Sequence, residues 1–436
     1  EVENYLEKVR EYETVQRSAS NTVSQRGWMK NLAQVTGASD PYLGTILCNY
    51  MGVYKGIAAD TSWGANVSTF CKLSATNQDQ QNSLLLKQQI EEGISALTYF
   101  GHSSATTLDF NIDNPQNYNN PGKYPVFFVN GCNAGNFFTY YPQRFIVNET
   151  LSEKFVLAKQ RGSVAFVAST HFGIVNYLNI YLSGLYRDIG GNGYGSTLGQ
   201  INKMAIRDLI AATGPYDFYA RTHSEQITLH GDPAVRLNVQ AKPDYVLEPQ
   251  MVELSPAFIS IAEEKFKLKL NVINLGKGIS DSVRVEIKRQ FPDGTITTIF
   301  NARLPRINYK DSILLELPIA ANRDKGANKI IAVVDSDSRI DEIDENNNRT
   351  EKEFFIYEDE VRPVYPFNFA IVTDPAQKLF ASTANPFSLS KEYQLEVDTT
   401  ELFNSSARIQ KAFTSSGGVA ELSTGISFRD STVYYW

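Results

Sequence analysis

Two segments of the sequence each end in a small-residue turn that carries a reactive side chain. The apolar run 96–100 leads through Gly101 to His102, and the run 124–129 leads to Cys132. An unbroken apolar run of this length predicts a strand buried on both faces, as in a parallel sheet covered by helices. Ligands of such sheets bind at the carboxyl ends of the strands, so neighbouring strands would place an imidazole beside a thiol. An imidazole that takes the thiol proton creates a thiolate, which attacks carbonyl carbon, so the pattern indicates nucleophilic catalysis by cysteine.

Each of these residues also has a simpler interpretation. Cysteine is among the residue types most often buried in cores, and a histidine at a strand end is more often a hydrogen-bonded loop residue than a base. The pairing favours chemistry, because two successive buried strands each end in a glycine next to a reactive group. We therefore expect His102 and Cys132 to emerge side by side at one sheet edge.

The order of histidine and then cysteine, each directly after a core strand, resembles the caspase-like cysteine peptidases. The surrounding sequence is similar to the gingipain family in particular, over residues 35–238. This resemblance implies an α/β domain with a parallel sheet and helices on both faces, in which Cys132 is the nucleophile and His102 the base or ion-pair partner. Four motifs carry the resemblance in one order: YFGH at 99–102, NGCNAGNF at 130–137, GSVAFVAST at 162–170 and GDPA at 231–234.

One position departs from the family pattern. The family usually has glycine directly after the histidine, where its backbone N–H helps to form the oxyanion hole, and here that residue is Ser103. Serine still offers a backbone N–H, although it cannot adopt every conformation open to glycine. The candidate oxyanion donors are therefore the backbone at Ser103 and at the turn of Gly131 and Cys132.

Two further groups are expected at the same edge. His171 and Phe172 follow the next buried strand, so we predict that they line the substrate pocket. In gingipains an acid that follows an earlier strand orients the histidine, and the similar GASD text at 37–40 nominates Asp40. Asp40 also stands directly before Pro41, where it would cap a helix, and the sequence leaves both roles open.

Composition limits the partners. The 436 residues carry a net charge of −7, and no basic cluster is present, which argues against a nucleic-acid partner. The resemblance to cysteine peptidases implies a polypeptide substrate. No apolar run reaches the length of a membrane span. The chain opens on an amphipathic helix pattern without a signal peptide, and the resemblance places such a helix after a first subdomain, so we expect a piece of a longer protein.

The three cysteines include an odd one, which suits a free Cys132. For Cys48 and Cys71, two buried thiols are favoured over a disulfide. Metal-ligand spacing is absent, and no cofactor is predicted.

The sequence pattern changes after the α/β region 1–242. From residue 251 the apolar residues alternate with polar ones, and several short strands with regular turns over 251–357 predict an immunoglobulin-like β-sandwich, so we interpret 243–256 as a linker crossed by few contacts. The text NVINLG at 271–276 and the acidic stretch 334–348 resemble the CARDB domain. Four aspartates of that stretch have the oxygen ligands that calcium prefers, although a solvated loop is favoured: Asp335, Asp337, Asp341 and Asp344.

The tail 358–436 is rich in β and turn residues and is predicted to be an incomplete third β module. A gingipain-like domain followed by such modules resembles the sortases of the type IX secretion system in the Bacteroidetes, which implies a place at the outer membrane or cell surface and other secretion components as partners. We therefore expect a surface or secreted cysteine endopeptidase or transpeptidase that forms an acyl-enzyme. The alternative, kept open by Ser103, is an inactive peptidase fold that serves in binding or secretion assembly.

Overall fold

The computed structural model of the chain describes residues 1–17, 22–38, 40–72, 79–138, 149–386 and 388–436. Its first domain contains a six-stranded sheet in the order β2-β1-β3-β4-β5-β6, in which the first five strands are parallel and β6 is antiparallel to β5. The predicted parallel sheet is confirmed, and the antiparallel edge strand is an addition to it. The strands are β1 (Asn31–Gly37), β2 (Asn66–Phe70), β3 (Ala96–Gly101), β4 (Val126–Asn130), β5 (Ala165–Ser169) and β6 (Ile227–Gly231).

Helices cover both faces of this sheet, as predicted. Because side chains alternate along a strand, Leu32 belongs to one apolar cluster and its neighbour Ala33 to the other. None of the described helices is both long enough and apolar enough to cross a membrane. The helices are α1 (Val2–Gln16), α2 (Val23–Arg26), α3 (Pro41–Ala59), α4 (Asp79–Glu92), α5 (Leu151–Leu157), α6 (Val175–Gly190), α7 (Leu198–Thr213) and α8 (Phe218–Gln226).

The structure contains a disulfide between Cys48 and Cys71, whose Cα atoms are 5.7 Å apart. The sequence-based preference for two buried thiols is therefore wrong. Cys48 lies on α3 and Cys71 directly follows β2, and packing of this helix against this strand brings the two sulfurs together. Cys132 is a free cysteine, as predicted.

A β-sandwich follows the α/β domain, in agreement with the predicted immunoglobulin-like region. One sheet pairs β10 with β13, β7 and β8, and the other has the order β12-β11-β14-β15-β9. Apolar side chains from both sheets form one core. The elements are β7 (Tyr245–Val246), β8 (Val252–Ser255), β9 (Ile259–Ser260), β10 (Lys265–Asn274), β11 (Val283–Gln290), β12 (Ile296–Leu304), β13 (Lys310–Pro318), α9 (Ala321–Asp324), β14 (Gly326–Val334) and β15 (Arg349–Tyr357).

The stretch 243–256 does not act as a linker, because its strands β7 and β8 pair with β10 of the sandwich. Contacts also cross between the two domains. The buried Arg26 side chain lies 3.5 Å from the buried carboxylate of Asp244, and the Gly278 N–H donates to the Ser62 carbonyl at 2.8 Å. The interpretation of this stretch as a linker with few contacts is therefore corrected.

The tail forms two small sheets around a common apolar core. One has the order β16-β17-β20 and the other pairs β18 with β19, and a bridge between Asp398 and Tyr435 joins the final residues to this unit. The strands are β16 (Val361–Tyr365), β17 (Leu379–Thr383), β18 (Lys391–Val397), β19 (Ile409–Ser415) and β20 (Val419–Leu422).

Candidate active site

The two reactive residues leave the sheet from adjacent strands. β3 and β4 are parallel neighbours, and their last paired residues are Phe100 and Asn130. His102 and Cys132 each stand two residues after this pair, so they occupy matching positions at the carboxyl edge. The N–H of His102 donates to the Gly37 carbonyl at 2.8 Å, which extends the sheet hydrogen bonding to the histidine. The His102 side chain is exposed and Cys132 is partly buried.

Ser103 connects the two turns. Its hydroxyl donates to the Cys132 carbonyl oxygen at 2.8 Å. The φ angle of Ser103 is negative, so the serine occupies a conformation that does not require glycine. A Cβ atom at Gly131 would overlap both the Ser103 hydroxyl and the Gly101 carbonyl oxygen. Glycine at 131 is therefore what allows the two turns to approach each other.

The backbone of this edge offers hydrogen-bond donors to a ligand. Within the described residues, neither the N–H of Ser103 nor the N–H of Cys132 donates to an acceptor of the protein. Both residues are partly exposed. An oxyanion hole requires N–H donors that are not already used within the protein.

The sulfur of Cys132 contacts the loop that follows β5. The Gly173 N–H donates to Cys132 Sγ at 3.4 Å, and the sulfur lies 3.9 Å from the Gly173 carbonyl oxygen. In the part of the chain that the structure describes, no hydrogen bond joins Cys132 to His102. Hydrogen bonds between catalytic groups are often long before substrate binds.

The predicted pocket residues lie on the same loop. The His171 carbonyl accepts a hydrogen bond from the Asn133 N–H at 2.9 Å, which ties this loop to the turn after Cys132. Asn133 has a φ of 59°, a left-handed conformation that asparagine tolerates better than most residues. Phe172 is 65% exposed, and the centroids of the His171 and Phe172 rings lie 4.6 Å apart in an edge-to-face arrangement. Both residues are exposed, on the loop whose Gly173 contacts the cysteine sulfur.

Asp40 follows β1, which pairs with β3 on the side opposite to β4. Its carboxylate accepts hydrogen bonds from the N–H groups of Tyr42 and Leu43 at 3.2 and 3.1 Å, so it caps α3 as the sequence suggested. Among the described residues, the Asp40 carboxylate forms no hydrogen bond with His102. Of the two roles predicted for Asp40, the structure therefore shows the helix cap.

Sequence reasoning did not identify Tyr99 as a supporting residue. Its buried hydroxyl donates to the His102 carbonyl at 2.5 Å and accepts from the Asp109 N–H at 3.0 Å. Burial is the main reason that the pKa of Tyr99 is raised, so the hydroxyl keeps its proton for this hydrogen bond. A tyrosine inside an otherwise apolar strand was the available signal, since a buried hydroxyl needs a partner.

In the acidic loop of the sandwich, the four aspartates considered as calcium ligands do not converge on one site. Asp337 pairs with Arg303 and Arg339, and Asp341 pairs with Lys242. A different set of carboxylates converges within 4.8 Å, and these have the donor atoms that could hold a hard cation: Asp335, Glu342 and Glu345. Each of the three accepts a hydrogen bond from a backbone N–H: those to Asp335 and Glu345 come from within the loop, and that to Glu342 comes from Tyr245 on β7.

The parallel sheet, its covering helices and the turns that carry His102 and Cys132 form one α/β domain. The chain belongs to peptidase family C25, whose profile matches residues 1–238, more than half of the chain. The CARDB profile matches residues 243–352.

Several solved structures are similar to the chain. The complex of the pro- and mature domains of RgpB from Porphyromonas gingivalis has 16% identity and a TM-score of 0.42, and the match covers 81% of this chain and 74% of that one. The Arg-specific cysteine proteinase gingipain R has 15% identity and a TM-score of 0.42, with 81% and 72% covered. A CARDB domain from Pyrococcus furiosus, solved in complex with di-metal ions, has 22% identity and a TM-score of 0.20, with 27% and 94% covered. No curated protein matches the chain.

Proposed function

We propose that the first domain is an active cysteine peptidase that uses Cys132 and His102 as a catalytic dyad. The observation that carries this proposal is the parallel register of β3 and β4, which gives the two residues matching positions at the carboxyl edge. His102 takes the proton of the Cys132 thiol, and the sulfur attacks the carbonyl carbon of a peptide bond. The N–H groups of Ser103 and Cys132 stabilise the oxygen that becomes negative.

Collapse of this intermediate breaks the C–N bond and leaves an acyl-enzyme on Cys132. The proton held by His102 passes to the departing amine. A water molecule then releases the acyl group as an acid, or a second amine releases it as a new amide, and these outcomes distinguish hydrolysis from transpeptidation. His171 and Phe172, both exposed on the loop that contacts the sulfur through Gly173, contact the polypeptide substrate in this proposal.

The same proposal includes an extracytoplasmic location. The disulfide between Cys48 and Cys71 supports it, because disulfides persist mainly in oxidising compartments. The order of a C25 domain, a CARDB domain and a further β unit supports a role like that of the type IX secretion sortases, with other components of that system as partners. The three parts follow the division 1–242, 251–357 and 358–436, with β7 added to the second.

The alternative is an inactive peptidase fold that acts in binding or secretion assembly. The missing hydrogen bond between His102 and Cys132 in the described residues favours it. An experiment on thiol reactivity separates the two functions without knowledge of the substrate.

Brief iodoacetamide treatment near pH 6 followed by mass spectrometry should label Cys132 faster than a free thiol with an ordinary pKa of about 8.5. His102→Ala should slow the labelling about tenfold or more, because the thiolate loses its partner. Cleavage of unfolded casein should disappear in Cys132→Ser, and added hydroxylamine should be found on new carboxyl termini if the acyl-enzyme forms.

His230→Ala provides a matched control. His230 stands directly before Gly231, but it lies on antiparallel β6 opposite Phe166 and hydrogen-bonds with Thr228 at 3.0 Å. This variant should label at the wild-type rate. Equal labelling of wild type and His102→Ala, together with no casein cleavage, would support the inactive fold.

A further inference from the structure

A buried histidine on α8 supports the loop that contacts the Cys132 sulfur. His223 is 1% exposed, and its Nε2 accepts a hydrogen bond from the Ile174 N–H at 2.8 Å. Its Nδ1 lies 2.7 Å from the Tyr219 carbonyl oxygen, which can only accept, so Nδ1 carries the proton. The ring is therefore neutral, with one nitrogen that donates to its own helix and one that accepts from the loop.

A second residue of α8 holds the other side of the same loop. The Gln226 side chain donates to the Phe172 carbonyl at 2.7 Å, and the Gln226 carbonyl accepts from the Thr170 N–H at 2.9 Å. Gly173 stands between the two anchored residues Phe172 and Ile174. Its N–H is the group that lies 3.4 Å from Cys132 Sγ.

The surroundings of His223 keep the ring in one orientation. The Tyr177 ring of α6 stacks on it, with centroids 5.3 Å apart, and the Tyr177 hydroxyl donates to Asp217 at 3.1 Å. Burial is the largest effect on His223 and lowers its pKa, while Asp217 and the Tyr219 carbonyl act in the opposite direction. The acceptor nitrogen is thus available to the Ile174 N–H.

We propose that His223 is a positioning residue that sets the reactivity of Cys132 by holding the Gly173 N–H against the sulfur. A hydrogen bond to sulfur strengthens when the thiol becomes a thiolate, so this N–H favours the reactive form. If the Ile174 anchor is lost, Gly173 shifts and the thiolate loses a donor. The inference rests on the proposed role of Cys132 and adds a residue that neither touches the substrate nor belongs to the dyad.

The test compares two substitutions at His223. His223→Phe keeps a ring against Tyr177 but removes the acceptor, whereas His223→Gln keeps an oxygen that can accept from Ile174. We expect His223→Phe to slow iodoacetamide labelling of Cys132 near pH 6 about tenfold and to raise the apparent pKa in its pH–rate profile. His223→Gln should remain within about threefold of wild type.

A matched control separates positioning from general stability. Tyr181→Phe removes a buried hydrogen bond of 2.6 Å between Tyr181 on α6 and Asn202 on α7, away from the loop. It should lower the melting temperature without changing the labelling rate. If His223→Phe fails to fold, Gln226→Met tests the same loop through its other anchor and should slow labelling several-fold.

The outcomes keep this inference distinct from the proposed function. A folded His223→Phe protein that labels at the wild-type rate overturns the positioning role. A His223→Gln protein that labels as slowly as His223→Phe overturns it as well. If His102→Ala leaves the labelling rate unchanged while His223→Phe raises the apparent pKa of the thiol, the proposed dyad is wrong and the positioning role of His223 is supported.

Discussion

The Ser103 hydroxyl donates a hydrogen bond to the carbonyl oxygen of Cys132 at 2.8 Å. The residue that replaces the usual glycine of the family therefore connects the histidine turn to the cysteine turn. Its negative φ allows a side chain, and Gly131 leaves the space that the hydroxyl occupies. The local structure thus accommodates serine at position 103.

Removal of this hydroxyl should loosen the site. Ser103→Ala is expected to lower the free energy of unfolding by about 1 kcal/mol, the usual contribution of one hydrogen bond. Labelling of Cys132 by iodoacetamide should slow several-fold, because the two turns lose their connection. Ser103→Thr keeps the hydroxyl and should behave like wild type in both measurements. Identical labelling of Ser103→Ala and wild type would show that the bond does not affect the site.

Gly131 should not tolerate a side chain. In Gly131→Ala the new methyl group overlaps the Ser103 hydroxyl and the Gly101 carbonyl oxygen, and the backbone oxygen cannot rotate away. We expect a loss of about 3 kcal/mol in the free energy of unfolding, measured by urea denaturation. The control is Gly52→Ala on α3, where nothing lies within 4 Å of the added methyl group, and that change should be neutral or stabilising. Equal stability of the two variants would contradict the overlap.

The disulfide makes a prediction for chemical labelling. Without reductant, iodoacetamide should modify Cys132 alone, because the sulfurs of Cys48 and Cys71 are bonded to each other. The bond closes a loop between residues 23 positions apart, so Cys48→Ser with Cys71→Ser should lower the free energy of unfolding by about 3 kcal/mol. Labelling of all three cysteines in unreduced, folded protein would show that the bond is absent.

Two substitutions at Asp40 separate its predicted roles. Asparagine is as good a helix cap as aspartate but has no charge, so Asp40→Asn should keep both stability and the labelling rate of Cys132. Asp40→Ala removes the cap and should lower the free energy of unfolding by about 1 kcal/mol. A loss of about tenfold or more in casein cleavage by Asp40→Asn would instead assign the carboxylate to orientation of His102.

Lys30 should make stability depend on pH. Its ammonium group is buried and donates to the Trp63 carbonyl, and burial lowers its pKa to about 7. Between pH 7 and the ordinary pKa of 10.5 the unfolded chain binds more protons than the folded one, so stability should rise with pH in this window. From pH 7 to pH 9 the contribution of Lys30 is about 2 kcal/mol.

Lys30→Met should remove that part of the slope, as measured by urea denaturation at the two pH values. Lys8, whose pKa burial also lowers to about 7, contributes equally to both proteins and so cancels in the comparison. The same slope in wild type and Lys30→Met would show that the lysine titrates normally.

Local patterns were sufficient to predict several elements of the first domain. The unbroken apolar runs identified β3, β4 and β5, and the Asp40 and Pro41 pair placed the start of α3 correctly. The buried residues of α6 repeat with helical spacing, at Leu178, Tyr181, Leu182 and Leu185. Strand β6 was not predicted, because it is only partly buried and has no unbroken apolar run.

Sequence alone identified which side chains could do chemistry and in what order, because a strand, a turn and a helix cap are specified by residues close together in the chain. The order of the strands in the sheet decided which distant residues become neighbours. It made His102 and Cys132 neighbours, joined Cys48 to Cys71, and brought α8 under the loop of Gly173. Such contacts join residues far apart in sequence, and neither partner alone carries a local signal of the other, so only the packed structure could assign them.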